Sequence, residues 1–208
     1  MDELLVQQQL ARLEAIPEVV AAYAMLQEKL PQGLFYHTFE HTRDVMHEAI
    51  LFALHDNLTE RDQTLLAIAV AYHDTGFVQS RSANESIGGD FALEKMRQNS
   101  EWRQEECALV VQMINDTKVI VHDGAFRQIP TTKLSQYLVD ADVSNLGRED
   151  FFDKAELVRK ELGVASATGF YSGVKRLLAG HQWYSPAAIA LRSQQKIRNG
   201  ELLKQQYP

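Results

Sequence analysis

The run Leu65-Leu66-Ala67-Ile68-Ala69-Val70-Ala71-Tyr72 constrains this chain more than any other stretch. A helix through it has no polar face, so other elements must cover it on every side. It therefore reads as the buried central helix, from about Glu60 to His73. Thr59 and Asp62 form its N-terminal cap pattern. His73 and Asp74 close the run, and Gly76 follows as the stop. An imidazole and a carboxylate are poor packing groups at the end of such a helix unless something binds them.

The flanking segments carry helical periodicity. Residues 3–15 space Leu4, Leu5, Leu10, Leu13 and Ile16 over successive turns. Pro17 opens a second helix, expected to bury Val19, Val20, Tyr23, Ala24, Leu26 and Leu30, and Pro31-Gln32-Gly33 breaks it. Further helices are expected from Thr38 to about His55, from Asn84 to Gln98, and from Glu101 to about Asn115, the last capped by Ser100. Val119-Ile120-Val121 is a short β-prone run. Helices over 134–146, 148–162, 170–178 and 185–205 complete an all-α set, a single helical domain spanning 1–208.

At 208 residues the chain is long enough for a sizeable core. Its net charge of -7 argues against a nucleic-acid polymer as partner. Cys107, the one cysteine, excludes an intrachain disulfide and a zinc–thiolate site, and it reads as a buried small hydrophobe. The N-terminus lacks the pattern of a signal peptide. No apolar stretch reaches the roughly 18 residues a membrane span needs. The expectation is a cytoplasmic protein with no membrane partner; oligomeric state stays open.

Four residues suit a metal ion together: His41, His73, Asp74 and Asp142. Neutral imidazole and carboxylate match a divalent first-row cation, and four protein ligands leave positions for water and substrate. In His37-x-x-x-His41 two imidazoles are expected to project from one helix face, a turn apart. His47, His55 and His181 read as structural. His122 lies between the His73-Asp74 pair and Asp142, where a role at the site edge is open. The cations Lys175, Arg176, Arg192, Lys196 and Arg198 form either a solvated face or a contact to an anionic substrate.

The order His41, His73-Asp74, Asp142 resembles the HD superfamily of metal-dependent phosphohydrolases. Tyr36-His37-x-x-x-His41-Thr42, Ala71-Tyr72-His73-Asp74-Thr75-Gly76-Phe77 and Asp140-Ala141-Asp142 through Leu146-Gly147 carry the likeness. Asn84-Glu85-Ser86 and Ile114-x-x-Thr117 are similar to a small predicted-phosphohydrolase branch of it. The likeness covers roughly residues 35–147, with the flanking helices outside. It implies His41, His73, Asp74 and Asp142 as ligands, with Asp140 hydrogen-bonded to a ligand histidine. With only His122 between the pair and Asp142, it implies one ion, drawn from Mg, Mn, Fe, Co, Ni and Zn.

The implied activity is hydrolysis of a phosphate ester or anhydride, of a nucleotide or related small phosphorylated molecule. Protonated His37 is the expected catalytic group on the phosphate or leaving oxygen. Glu85 is the expected general acid or base, with a helix-dipole role as the alternative. Thr117 is a candidate for orienting the substrate. A non-catalytic metal or nucleotide sensor, or an interaction module on the same scaffold, is the alternative function.

Overall fold

A computed structural model describes residues 3–122 and 125–207. Among these residues the chain forms ten α-helices and one two-stranded sheet, an all-α architecture. The first two helices, α1 (Glu3–Glu14) and α2 (Pro17–Lys29), lie against α3 (Phe39–His55) and α4 (Glu60–Tyr72). Next come α5 (Asn84–Arg97), α6 (Gln104–Asp116) and α7 (Lys133–Asp142). The chain ends in α8 (Phe151–Glu161), α9 (Ala167–Gly180) and α10 (Pro186–Gln206).

Helix α4 is the centre. Every residue from Leu65 to Tyr72 is buried, and α3, α6, α7, α2, α5 and α1 all pack on it. Thr59 caps it, its hydroxyl accepting from the Asp62 N–H at 3.1 Å. Burying side chains on all faces yields roughly 1.5–3 kcal/mol for each large one. This fixes where the last turn of α4 points, and that turn carries the His-Asp pair.

Several local expectations are corrected. In α1 the buried stripe is Val6, Leu10 and Leu13, while Leu4 and Leu5 are exposed because they fall off that i, i+4, i+7 line. Val20 likewise faces water. Ser100 does not cap α6. The helix begins at Gln104, where the Glu106 carboxylate accepts from the Arg103 N–H at 3.0 Å. The β-prone run finds a partner that the sequence reading missed: β1 (Ile120–His122) pairs antiparallel with β2 (Ala125–Arg127), Val121 opposite Phe126. Cys107 is buried, as expected. No helix among the described residues is long and apolar enough to cross a membrane.

Candidate metal centre

Each donor sits where a helix starts or stops. Thr38 caps α3, its hydroxyl accepting from the His41 N–H at 3.4 Å, so His41 occupies the first turn. Helix α4 ends at Tyr72 and His73 is its C-cap; Asp74 then leads into a 3₁₀ turn over Thr75–Val78. Gly76 is therefore not the residue that stops the helix. Its role is steric: a Cβ there would sit 2.0 Å from the Asn84 carbonyl oxygen. Gly88 has the same role, with a Cβ 2.5 Å from the Tyr72 oxygen. Both glycines let α5 close onto the end of α4. Asp142 is the last residue of α7, which stops there rather than running on to Leu146.

These ends converge. His41 Nε2 is 3.2 Å from Asp142 Oδ1 and 3.6 Å from Asp74 Oδ2. His73 Nε2 is 3.3 Å from Asp74 Oδ2 and 3.6 Å from Asp142 Oδ1. The donor atoms of His41, His73 and Asp142 lie within 4.8 Å of one another. Metal–ligand bonds of about 2.0–2.2 Å place neighbouring ligand atoms roughly 3.0–3.5 Å apart, close to the four separations here. His73 Nε2 and Asp74 Oδ2 are buried without a hydrogen-bond partner. Two orphaned atoms facing a common point in a set of two imidazoles and two carboxylates fit a divalent cation.

The surroundings hold these atoms in place. His73 Nδ1 donates to the Val70 carbonyl at 2.7 Å, which turns Nε2 towards the centre. Asn84 Nδ2 donates to Asp74 Oδ1 and to the His73 carbonyl, each at 3.1 Å, so Oδ2 turns to the centre. Gln128 Nε2 donates to Asp142 Oδ2 at 2.6 Å and to the Thr117 carbonyl at 2.6 Å. Burial opposes ionisation of Asp74, yet His73 and His37 hold its carboxyl down to about 2. Burial likewise opposes ionisation of Asp142, and the His41 hydrogen bond with the nearby His73 imidazole holds its carboxyl well below the usual range. His73 is raised, against its burial, by Asp74 and Asp142.

His37 is not on a helix with His41. It lies in the loop before the Thr38 cap, yet the two rings stand 5.8 Å apart. Its Nδ1 meets Glu161 Oε1 at 2.6 Å, and its ring stacks on Phe77 at 4.6 Å. Glu161 Oε2 accepts from the backbone N–H groups of Phe35, Tyr36 and His37, at 3.0, 2.8 and 3.0 Å. Arg81 Nη2 reaches Glu161 Oε1 at 3.0 Å. Burial pulls the His37 pKa down, but Asp74 and the Glu161 hydrogen bond leave it raised. With side chains 28% and 16% exposed, His37 and Asp142 mark the opening of the site.

Other candidates go elsewhere. Asp140 does not touch a ligand histidine. It accepts from Tyr184 N–H at 3.1 Å and from the Ser185 N–H and hydroxyl, each at 2.7 Å, pinning the start of α10. Two residues along a helix turn about 200°, so Asp140 and Asp142 face opposite ways. The Thr117 hydroxyl is buried and donates to the Ile114 carbonyl. Glu85 is half-buried in the first turn of α5, with no hydrogen bond or ion pair to the four candidate donors. The His122 side chain lies outside the described residues. Arg192 pairs with Glu48, Lys196 donates to the His181 carbonyl, and Lys175 to the Tyr207 carbonyl. These three cations anchor helices, while Arg176 and Arg198 are exposed.

Asn84, Gln128 and Glu161 were missed as site residues. Asn84 stood in a quoted motif next to Glu85, whereas Gln128 and Glu161 carry no local signal. Clefts of about 600 Å³ beside Trp102 and about 590 Å³ beside Trp183 share no residue with the His-Asp cluster. No protein-family model matches the chain, and no curated protein matches it.

Proposed function

We propose that this chain is a metal-dependent phosphohydrolase of the HD type, acting on a small phosphate ester or anhydride with one divalent ion. The observation that carries the reading is the convergence of four donors from three separate helix ends, with His73 Nε2 and Asp74 Oδ2 buried and unpaired. The motif order in the sequence supports it. His41, His73, Asp74 and Asp142 would hold the ion. When bound, it supplies Lewis acidity that acidifies water and polarises a phosphoryl oxygen.

The protein's own groups account for the remaining roles. Asn84 and Gln128 fix the outer oxygens of the two carboxylates, so each presents one oxygen inward. His37, hydrogen-bonded to Glu161 and with its pKa raised by Asp74 and that bond, stands at the opening. From there it hydrogen-bonds a phosphate oxygen and can pass a proton to the leaving oxygen. Phe77 and Tyr36 flank the two imidazoles and narrow the approach of water.

Elemental analysis of the purified protein should find about one divalent ion per chain, lost in His73→Ala. A panel of phosphate esters should give metal-dependent turnover that disappears in Asp74→Ala. Turnover indifferent to a chelator, or protein that takes up no ion even when supplemented, would sink the proposal.

A further inference from the structure

Arg81 shares two partners with His37. Both meet the same carboxylate oxygen, Glu161 Oε1, at 3.0 Å from Arg81 Nη2 and 2.6 Å from His37 Nδ1. Both also lie against Phe77: the His37 ring stacks on it at 4.6 Å, and the Arg81 guanidinium carbon is 5.5 Å from its centre. Arg81 is therefore fixed at the side of His37 that leads away from the four donors, none of which it touches among the described residues.

These contacts leave most of the guanidinium unused. It reaches Glu161 through Nη2, while its Nε and Nη1 have no hydrogen-bond partner among the described residues. Its side chain is 48% exposed. Glu161 cannot take more donors, because its Oε2 already accepts from three backbone N–H groups and its Oε1 from two side chains. The single charge of that carboxylate is thus spread over five donors.

An exposed arginine is ordinarily a solvated charge, and its ion pair contributes little. The surroundings of Arg81 differ from that case. It is the only charged residue between Asp74 and Glu85, so its own loop supplies no acid to neutralise it. Exposed Ser80 and Ser82 flank it, their hydroxyls 3.3 Å apart, and add two donors. On a chain of net charge -7, this loop is a local reversal of sign beside the candidate metal centre. A guanidinium fork matches two oxygens of one phosphate.

We propose that Arg81 is a substrate-binding residue, which takes a second phosphate bonded to the one at the four donors, so that the substrate is a phosphoanhydride. The proposal rests on the phosphohydrolase reading and narrows its substrate class. A neutral alkyl or sugar group in that place would give the guanidinium no charge to meet. Hydrolysis then breaks the bridging P–O bond. The water oxygen bonds to the phosphorus beside His37, and the departing phosphate, held by Arg81, takes a proton.

Calorimetry on manganese-loaded protein, freed of excess metal, would compare methyl phosphonate with methylenediphosphonate, whose bridging carbon resists hydrolysis. Arg81→Ala should weaken the diphosphonate about 10–100-fold, the scale of charge-assisted hydrogen bonds lost from one phosphate. Methyl phosphonate affinity and the circular dichroism spectrum should stay unchanged. Arg81→Lys should recover part of the loss, since it keeps the charge without the fork.

Equal weakening of both probes in Arg81→Ala would overturn the proposal, because Arg81 would then act only through Glu161 and His37. So would diphosphonate affinity that Arg81→Ala leaves intact, or wild-type protein that binds the diphosphonate no tighter than methyl phosphonate. Failure of the phosphohydrolase reading looks different: the diphosphonate preference and its loss in Arg81→Ala remain, but neither anhydride nor ester is turned over.

Discussion

Glu161→Gln tests whether one carboxylate holds the His37 imidazole in place. Glutamine keeps the shape of the side chain and one oxygen for the three backbone N–H groups of residues 35–37. Its amide nitrogen replaces the oxygen that meets His37 Nδ1 at 2.6 Å and Arg81 at 3.0 Å. The His37 contact is charge-assisted and only 28% exposed on the histidine side, so its loss costs about 1.5–3 kcal/mol. Arg81 is 48% exposed, and solvent screening reduces its share to about 0.5 kcal/mol. The sum, about 2–3.5 kcal/mol, lowers Tm by roughly 4–14 °C for a chain of this size.

Thermal and guanidinium unfolding of wild type, His37→Ala, Glu161→Gln and the double variant would measure the coupling. It should be about 1.5–3 kcal/mol. On the proposed chemistry, kcat should fall on the order of 100-fold in Glu161→Gln, because a displaced catalytic group loses its near-attack geometry. A coupling below about 0.5 kcal/mol, the scale of an exposed ion pair, would refute the positioning argument.

Metal binding should be visible as stability. An ion at about 100 times its Kd adds about 2.7 kcal/mol, a Tm rise of roughly 5–11 °C by differential scanning fluorimetry, absent in Asp142→Asn. Gln128→Ala should weaken metal affinity about 10–100-fold with an unchanged circular dichroism spectrum, since it removes a hydrogen bond to a ligand oxygen. Gly76→Ala should cost about 1–3 kcal/mol or more in denaturant unfolding, because the new Cβ would overlap the Asn84 carbonyl at 2.0 Å.

The pH prediction concerns His181. Burial and then Lys196 push its pKa down from 6.5 to about 3, so the unfolded chain takes up this proton first. Its contribution to stability is therefore intact above pH 6.5 and falls as pH drops towards 3. Between pH 7 and 5 the loss is about 1–2 kcal/mol. The difference between wild type and His181→Gln unfolding curves isolates this from the opposing slope of Asp140, which burial raises to about 6. A pH-independent difference would contradict it.

The pattern of apolar residues was enough to place α4 at the centre, since eight such residues in succession leave a helix no face for water. It was enough to put His73 and Asp74 at its end and to single out His41 and Asp142. Boundaries were less legible. Whether α7 stops at Asp142 or four residues later depends on packing, and Gly76 looked like a helix stop when its hydrogen was needed by the approaching Asn84.

The chemistry of the donors is a property of residue type, and the place of His73 and Asp74 at the end of α4 follows from local periodicity. Sequence alone therefore determined an all-α chain and the two imidazoles and two carboxylates that the fold brings together. Tertiary structure decided what surrounds them. Glu161 reaches His37 across 124 residues of sequence, and Asp140 turns to Ser185 across 45. Such pairings depend on how helices pack against one another, and the 3.6-residue period of a single helix carries no record of that.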